Sequence, residues 1–322
     1  MKIHCLGSSE LEIYDVLARK DGTLFNCLDW LALFGDNVQI LGIFEDGGEM
    51  VGGLSFYIDR RFGLTIVRNI PFTPNCGPFL ALKAQNPVAI LEMRRKVLEC
   101  VVQYLEKENP AIVRLGLDQR IFDALPFFWN DFKVIPAYTY RLNLSISIEQ
   151  IKKNMSSERR KNITKAGRDG LTVSRTNDMS VVKKLCLATF NRQKMKINQF
   201  YLDAILFKYS NGLNSYAFTT CNAEAIPIAT CFVVHDSTTA YYLIGGYSAD
   251  LGHHGAGALA MFEAIKHAKE IGIKIFDFEG SVVPAIERYF RGFGGELTPY
   301  YTVNKAWLAL EVAMKFIKRN IF

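Results

Sequence analysis

Apolar and polar residues alternate at Val38 to Phe44 and again at Met50 to Ile58, and the turn-forming Glu45-Asp46-Gly47-Gly48 joins the two runs. This pattern predicts a β-hairpin. From about Pro87 to Lys107 the period lengthens, with Ile90, Met93, Val97, Val101 and Leu105 on one face, which predicts a helix followed by the short apolar strand Ala111 to Leu117. A second helix-like stretch covers Phe122 to Trp129, and Val134 to Leu144 alternates as a strand. The same order then returns. Strands are expected near Ser215 to Thr220, Ile226 to Val234 and Thr239 to Gly245, the last two joined across His235-Asp236-Ser237-Thr238. A helix follows from about Gly257 to Ile271, then a strand at Ile273 to Glu279, a short helix, and a strand at Thr298 to Val303.

One ungapped shift lays Ile112 to Leu117 on Lys274 to Glu279, Phe127-Phe128 on Tyr289-Phe290, and Tyr138 on Tyr300. Two related α/β subdomains with mixed α+β sheets are the better account of that register, and they divide as 1–145 and 146–322. The shift exposes a chemical contrast. Leu115 and Leu117 stand where the second copy has Asp277 and Glu279, residues two apart that share one face of a strand. Carboxylates on a strand inside a domain are costly unless paired or used. Two explanations stand at this point: pairing with Arg288 and Arg291 on the next helix, or a working site in the second half.

Composition narrows the class. Hydrophobic residues make up 49% and charged residues 22% of the 322, the balance of a globular enzyme. The 7 cysteines are odd in number and scattered, with no CxxC pair, so neither a disulfide framework nor a structural metal is expected. The amino-terminal residues turn polar too early for a signal peptide and no apolar run reaches membrane-spanning length, so the expected location is the cytoplasm. The formal charge of +6 is uneven. Lys152, Lys153, Arg159, Arg160, Lys161, Lys165 and Arg168 crowd a single predicted helix that begins at a Ser147/Gln150 capping box and ends at Asp169-Gly170. This helix either presents a solvated basic face or binds phosphate or an RNA backbone. No RNA-binding module signature accompanies it, and no DNA partner is expected.

Three further segments carry candidate chemistry. Gly252-His253-His254-Gly255-Ala256-Gly257 joins a strand to a helix, so Gly255 and Gly257 are candidates to cradle a pyrophosphate, although such turns are also common without ligands. Gly280-Ser281 can turn the chain ahead of a helix started by Pro284, and Arg291-Gly292-Phe293-Gly294-Gly295 forms either a ligand-facing loop or a tight connection. Trp307 to Phe322 is amphipathic, with Leu310, Ala313, Met314 and Ile317 opposite Lys315, Lys318 and Arg319. Docking on its own domain is preferred over peripheral membrane contact.

The chain resembles the FemAB-like branch, the peptidoglycan bridge-forming aminoacyltransferases, of the GNAT N-acyltransferase superfamily. The resemblance rests on Ser157-Glu158-Arg159-Arg160-Lys161-Asn162-Ile163-Thr164-Lys165-Ala166, on Phe190-Asn191-Arg192-Gln193, and on Phe276-Asp277-Phe278-Glu279-Gly280-Ser281 running on to Arg291-Gly292-Phe293-Gly294-Gly295. In the first half, Asn69-Ile70-Pro71-Phe72-Thr73-Pro74 carries it. It implies two tandem GNAT-like domains and N-acyl transfer to an amine of a cell-wall precursor or related acceptor. The implied co-substrate is aminoacyl-tRNA or acyl-CoA, with no tightly bound cofactor. An acyl-CoA N-acetyltransferase acting on a small amine or amino sugar is the alternative, and a non-enzymatic RNA- or anionic-surface-binding protein is a second one. The long helical arm of many tRNA-dependent relatives is missing between Leu171 and Ser215. Gly252 replaces the Arg or Gln that opens the acetyl-CoA motif. Under this resemblance Asp277 or Glu279 is the candidate general base. Arg159, Arg160, Lys161, Arg192 and Arg291 would bind substrate, chiefly phosphates, with Ser281 among the substrate residues, and Tyr241, Tyr242 and Phe293 would line the acyl channel.

Overall fold

A computed structural model describes residues 1–81, 86–280 and 283–317. Its elements begin with β1 (Lys2–Cys5), α1 (Ser8–Asp21), α2 (Leu28–Leu31), β2 (Val38–Phe44), β3 (Met50–Arg61), β4 (Leu64–Arg68) and β5 (Phe79–Leu80). Next come α3 (Pro87–Glu108), β6 (Ile112–Gly116), α4 (Leu125–Trp129), β7 (Lys133–Asn143), α5 (Ile148–Asn154), α6 (Ser157–Arg168), β8 (Thr172–Thr176), α7 (Met179–Arg192) and α8 (Gln199–Asp203). The chain closes with β9 (Ser215–Cys221), β10 (Pro227–His235), β11 (Thr239–Tyr247), α9 (Ala256–Glu270), β12 (Ile275–Asp277), α10 (Pro284–Arg291), β13 (Glu296–Ala306) and α11 (Leu308–Ile317).

Two compact units result, one of Met1–Ala137 with Pro299–Phe322, the other of Tyr138–Thr298. The boundary expected at 145/146 therefore falls inside the second unit, and the end of the chain belongs to the first. Within the first unit β13 pairs antiparallel with β6, and within the second the far half of β7 pairs antiparallel with β12. In both units an antiparallel meander feeds a helix and then a parallel strand, β4 beside β6 and β11 beside β12. The duplicated order read from the shift is the order of the fold.

In the first unit, Val97, Leu98, Val101, Val102 and Leu105 of α3 pack on Leu41, Leu54, Val113 and Leu115. Asn86 caps this helix by accepting from the Ala89 N–H at 2.8 Å, with Pro87 in the first turn and Asn109 at φ 43 ending it. In the second unit, Leu259, Phe262, Ile265 and Ala268 of α9 pack on Tyr216, Cys231, Val233 and Phe276. Of the stripe predicted for α3, Val97, Val101 and Leu105 are buried and Ile90 and Met93 half-buried.

The basic helix expected from Ser147 to Asp169 is broken. Met155 is extended at ψ 152, and Ser156 starts α6 afresh by accepting from the Arg159 N–H at 3.2 Å. Ser147 caps α5 as expected, but Gln150 donates to Asn154 at 2.7 Å instead of closing the box. The strand expected to run to Glu279 stops at Asp277. In α11, Leu310 and Met314 are half-buried, whereas Ala313, expected on the same face, is exposed.

Candidate functional site

Chemistry concentrates where β11 and β12 part. Their parallel pairing lasts three registers, Thr239 with Ile275, Ala240 with Phe276 and Tyr241 with Asp277, after which β12 ends and β11 continues to Tyr247. The register between β10 and β11 also shifts here. Phe232 faces Ile244 while Val233 faces Tyr242, so Leu243 is an extra residue that bends β11 at the opening.

Asp277 lies at this fork and is 4% exposed. Its Oδ1 accepts from the Thr139 hydroxyl at 2.5 Å and from the Glu279 N–H at 2.9 Å, and its Oδ2 lies 3.2 Å from Arg141 Nε. Burial raises the Asp277 carboxyl above its ordinary range, while Thr139, the Glu279 N–H and Arg141 pull it back. Glu279 adopts φ 60 and Gly280 φ 67. Left-handed backbone is unforced for the glycine, whose added Cβ would meet the Tyr138 carbonyl at 2.3 Å, but it strains a glutamate by about 1–3 kcal/mol. Among the described residues, no hydrogen bond or ion pair reaches the Glu279 carboxyl. Burial drives it well above the usual glutamate range and the neighbouring Asp277 adds to the rise, with Arg141 opposing both. A strained acid with a raised pKa beside a second carboxylate is an arrangement suited to accepting and releasing a proton.

The expected partners of these carboxylates are not the observed ones. Arg291 Nε lies 3.2 Å from Glu287, which also accepts from the Tyr140 hydroxyl at 2.5 Å. The fork uses Arg141 and Thr139 instead, both from β7 and both missed in the sequence. One signal was present: Thr139 and Arg141 are two apart and polar, while Tyr140 and Leu142 between and beyond them belong to the core.

The basic residues separate by environment. Arg159 is 5% exposed, with its guanidinium 4.3 Å from the Tyr289 ring centroid and 5.3 Å from that of Phe293. Among the described residues it makes no ion pair, and its buried Nε has no hydrogen-bond partner. Arg160 donates through Nη1 to the carbonyls of Lys153 at 2.7 Å and Met155 at 2.5 Å, which ties the end of α5. Lys161 is exposed. Arg192 is also exposed and stacks 4.0 Å from the Tyr247 ring centroid, at the far end of β11.

Of the residues expected along an acyl channel, Tyr241 and Phe293 are buried and Tyr242 is half-buried. Phe293 is fully buried, 5.5 Å from Phe278 between ring centroids, and Gly294 after it turns the chain at φ 83. The Tyr241 hydroxyl donates to Asp236 at 3.3 Å, toward the β10–β11 turn. Tyr242 packs edge-on against Phe290 at 5.6 Å. Ser281 lies outside the described residues.

At the start of α9, the Gly255 N–H donates to His253 Nδ1 at 3.0 Å and the Ala256 N–H to the His253 carbonyl at 3.0 Å. His253 Nε2 in turn lies 3.0 Å from Asp169, whose carboxyl is held down at about 2, first by Lys165 and then by this histidine. A Cβ on Gly255 would fall 2.2 Å from the Asn162 carbonyl, so α6 crosses α9 at contact distance there. Gly257 is nearest to the Tyr289 hydroxyl. Gly255→Ala should therefore destabilise the unit by about 1–3 kcal/mol in urea unfolding, and an unchanged midpoint would contradict the close approach. Among the described residues, no cluster of three or more His, Cys, Asp or Glu is placed to hold a metal.

Residues 157–291 match a family model described as an acetyltransferase (GNAT) domain. Among solved structures, the chain is similar to FemX at a TM-score of 0.69 and 12% identity, covering 98% of this chain and 99% of that one. It is similar to L-PGS from Bacillus licheniformis at 0.57 and 12%, covering 99% and 98%. A tandem GNAT protein from the clavulanic acid biosynthesis pathway matches at 0.51 and 13%, covering 83% and 82%. No curated protein matches the chain in sequence. The fold is that of the tandem GNAT proteins, and the FemAB-like resemblance read from the motifs agrees with it. With its GNAT domain, the chain is an acyltransferase.

Proposed function

We propose that the chain transfers an aminoacyl group from an activated ester to an amine of a cell-wall precursor or related acceptor, with Glu279 as general base and Asp277 holding it in place. The observation that carries this reading is the strained Glu279 carboxyl at the β11/β12 fork, raised in pKa and without a hydrogen bond among the described residues. An ammonium acceptor must lose a proton to attack an ester carbonyl, and a carboxylate whose proton affinity is raised by burial and a neighbouring carboxylate can accept it. The bend at Leu243 supports placing the oxyanion beside β11, where backbone N–H groups lose their β12-side partners. Arg159 is the proposed anchor for a phosphate of the donor, since its guanidinium is buried without a counter-ion. Arg192, Arg291 and Lys161, all exposed, would act at the rim, and Arg160 would act only through the position of α5.

The start of α9 favours an ester donor over acyl-CoA. Two of the amides that would face a pyrophosphate, those of Gly255 and Ala256, already donate to His253, and both residues are buried. An acyl-CoA donor is the second reading, supported by the GNAT domain match. Melting temperature separates the two. The ester reading expects a rise with a nucleotide-linked muramyl peptide and transfer of a labelled amino acid from charged tRNA to that peptide. A rise with acetyl-CoA alone, with no transfer from charged tRNA, would overturn it. Arg159→Met should raise KM for the donor by roughly tenfold or more at little change in melting temperature, because a methionine keeps the aromatic contacts and removes the charge. An unchanged KM would remove Arg159 from the site.

A further inference from the structure

The outward side of α11 is apolar. Leu308 is 79%, Val312 49% and Phe316 88% exposed, successive turns of one helix face, with Trp307 at its start 44% exposed. Ala309 and Ala313 fill the rest of that side, and Lys315 stands exposed at its edge. The helix's acid is withdrawn: the Glu311 side chain is 15% exposed and lies 3.2 Å from Lys315 and 4.0 Å from Lys133.

Lys133 links this face to a second one in the same unit. It follows α4, around which Phe122, Phe128 and Trp129 are 64%, 64% and 55% exposed. Arg94 lies over the Phe122 ring at 4.9 Å and Arg95 over Trp129 at 5.7 Å. Asp123 is turned in, its side chain 12% exposed and paired with Arg95 at 2.7 Å. Exposed Phe and Trp side chains, a helical apolar stripe and cations at the rim, with Glu311 and Asp123 paired behind them and Asp131 left exposed after α4, match the chemistry of an anionic bilayer surface. No helix among the described residues is long and apolar enough to cross a membrane.

We infer that the first unit docks on membranes rich in anionic lipid through α11 and the aromatic residues around α4. The inference does not depend on the donor or acceptor proposed for the second unit. Flotation of the full chain with phosphatidylglycerol-containing vesicles, set against pure phosphatidylcholine vesicles, tests it. The chain should float with the anionic vesicles and release as salt rises. Val312→Glu with Phe316→Glu should weaken binding by roughly tenfold or more while leaving circular dichroism and melting temperature in place, since both side chains face outward. A chain that ignores anionic vesicles would overturn the inference. So would a double variant that floats like the parent, or a parent dimer that the variant splits without any vesicle binding, which would assign the face to a second copy of the chain.

Discussion

Replacing Glu279 with Gln should lower turnover by about 10²–10⁴-fold while making the protein more stable at pH 8. The loss follows from removing the group proposed to take the acceptor's proton. The gain follows from the direction of its pKa. Burial and Asp277 raise the Glu279 carboxyl in the folded chain, so between the ordinary glutamate value of about 4.3 and the raised one the folded state holds a proton that the unfolded state has released. Stability therefore falls as pH climbs through that window, and an uncharged amide escapes the fall. Glu279→Gly should gain further at neutral pH, because it also relieves the left-handed backbone at φ 60. Urea unfolding at pH 5 and pH 8, run beside an activity assay, would show both effects. A Gln variant as active as the parent would rule out the base, and one less stable at pH 8 would contradict the burial argument.

Arg141→Met should be the most destabilising single change at the fork, by roughly 3 kcal/mol at pH 8. Arg141 is the cation beside both carboxylates, 3.2 Å from Asp277, and its side chain is 22% exposed against 6% for Asp277. Without it, both carboxyls rise further in the folded state, so the folded chain takes up protons that the unfolded chain does not. The penalty should shrink as pH is lowered toward the ordinary carboxylate range, where the unfolded groups protonate too. Adding Glu279→Gln to Arg141→Met should recover part of the loss, since one of the two uncompensated charges is then gone. Equal unfolding midpoints for parent and Arg141→Met at pH 8 would show that the guanidinium does not support the pair.

Much of the architecture was legible because it is written in periods. The hairpins, the helices α3 and α9 and the shift that sets Leu115 and Leu117 against Asp277 and Glu279 all follow from spacing alone. The break at Met155 was hidden because methionine fits the apolar stripe of a continuous helix; what ends the helix there is the second cap at Ser156, one serine among several polar residues. Arg141 and Thr139 escaped notice for a different reason. They lie on the last strand of the first repeat and serve the carboxylates of the second, so no local pattern joins them to Asp277. Phe293 looked like a ligand-facing residue between glycines, yet it packs in the core against Phe278. Arg159 read as one charge in a basic run, and only packing separates it from its exposed neighbours, since it is stacked on Tyr289 and Phe293.

The pH dependence of kcat/KM for the parent and for Glu279→Gln tests the central claim most directly. The parent should lose activity on the acid side with a midpoint above the ordinary glutamate range, because protonation of a raised carboxyl removes the base, and the variant should be slow and lack that limb. A Glu279→Gln enzyme that keeps the parent's rate and the same acid limb would show that the proton leaves by another route.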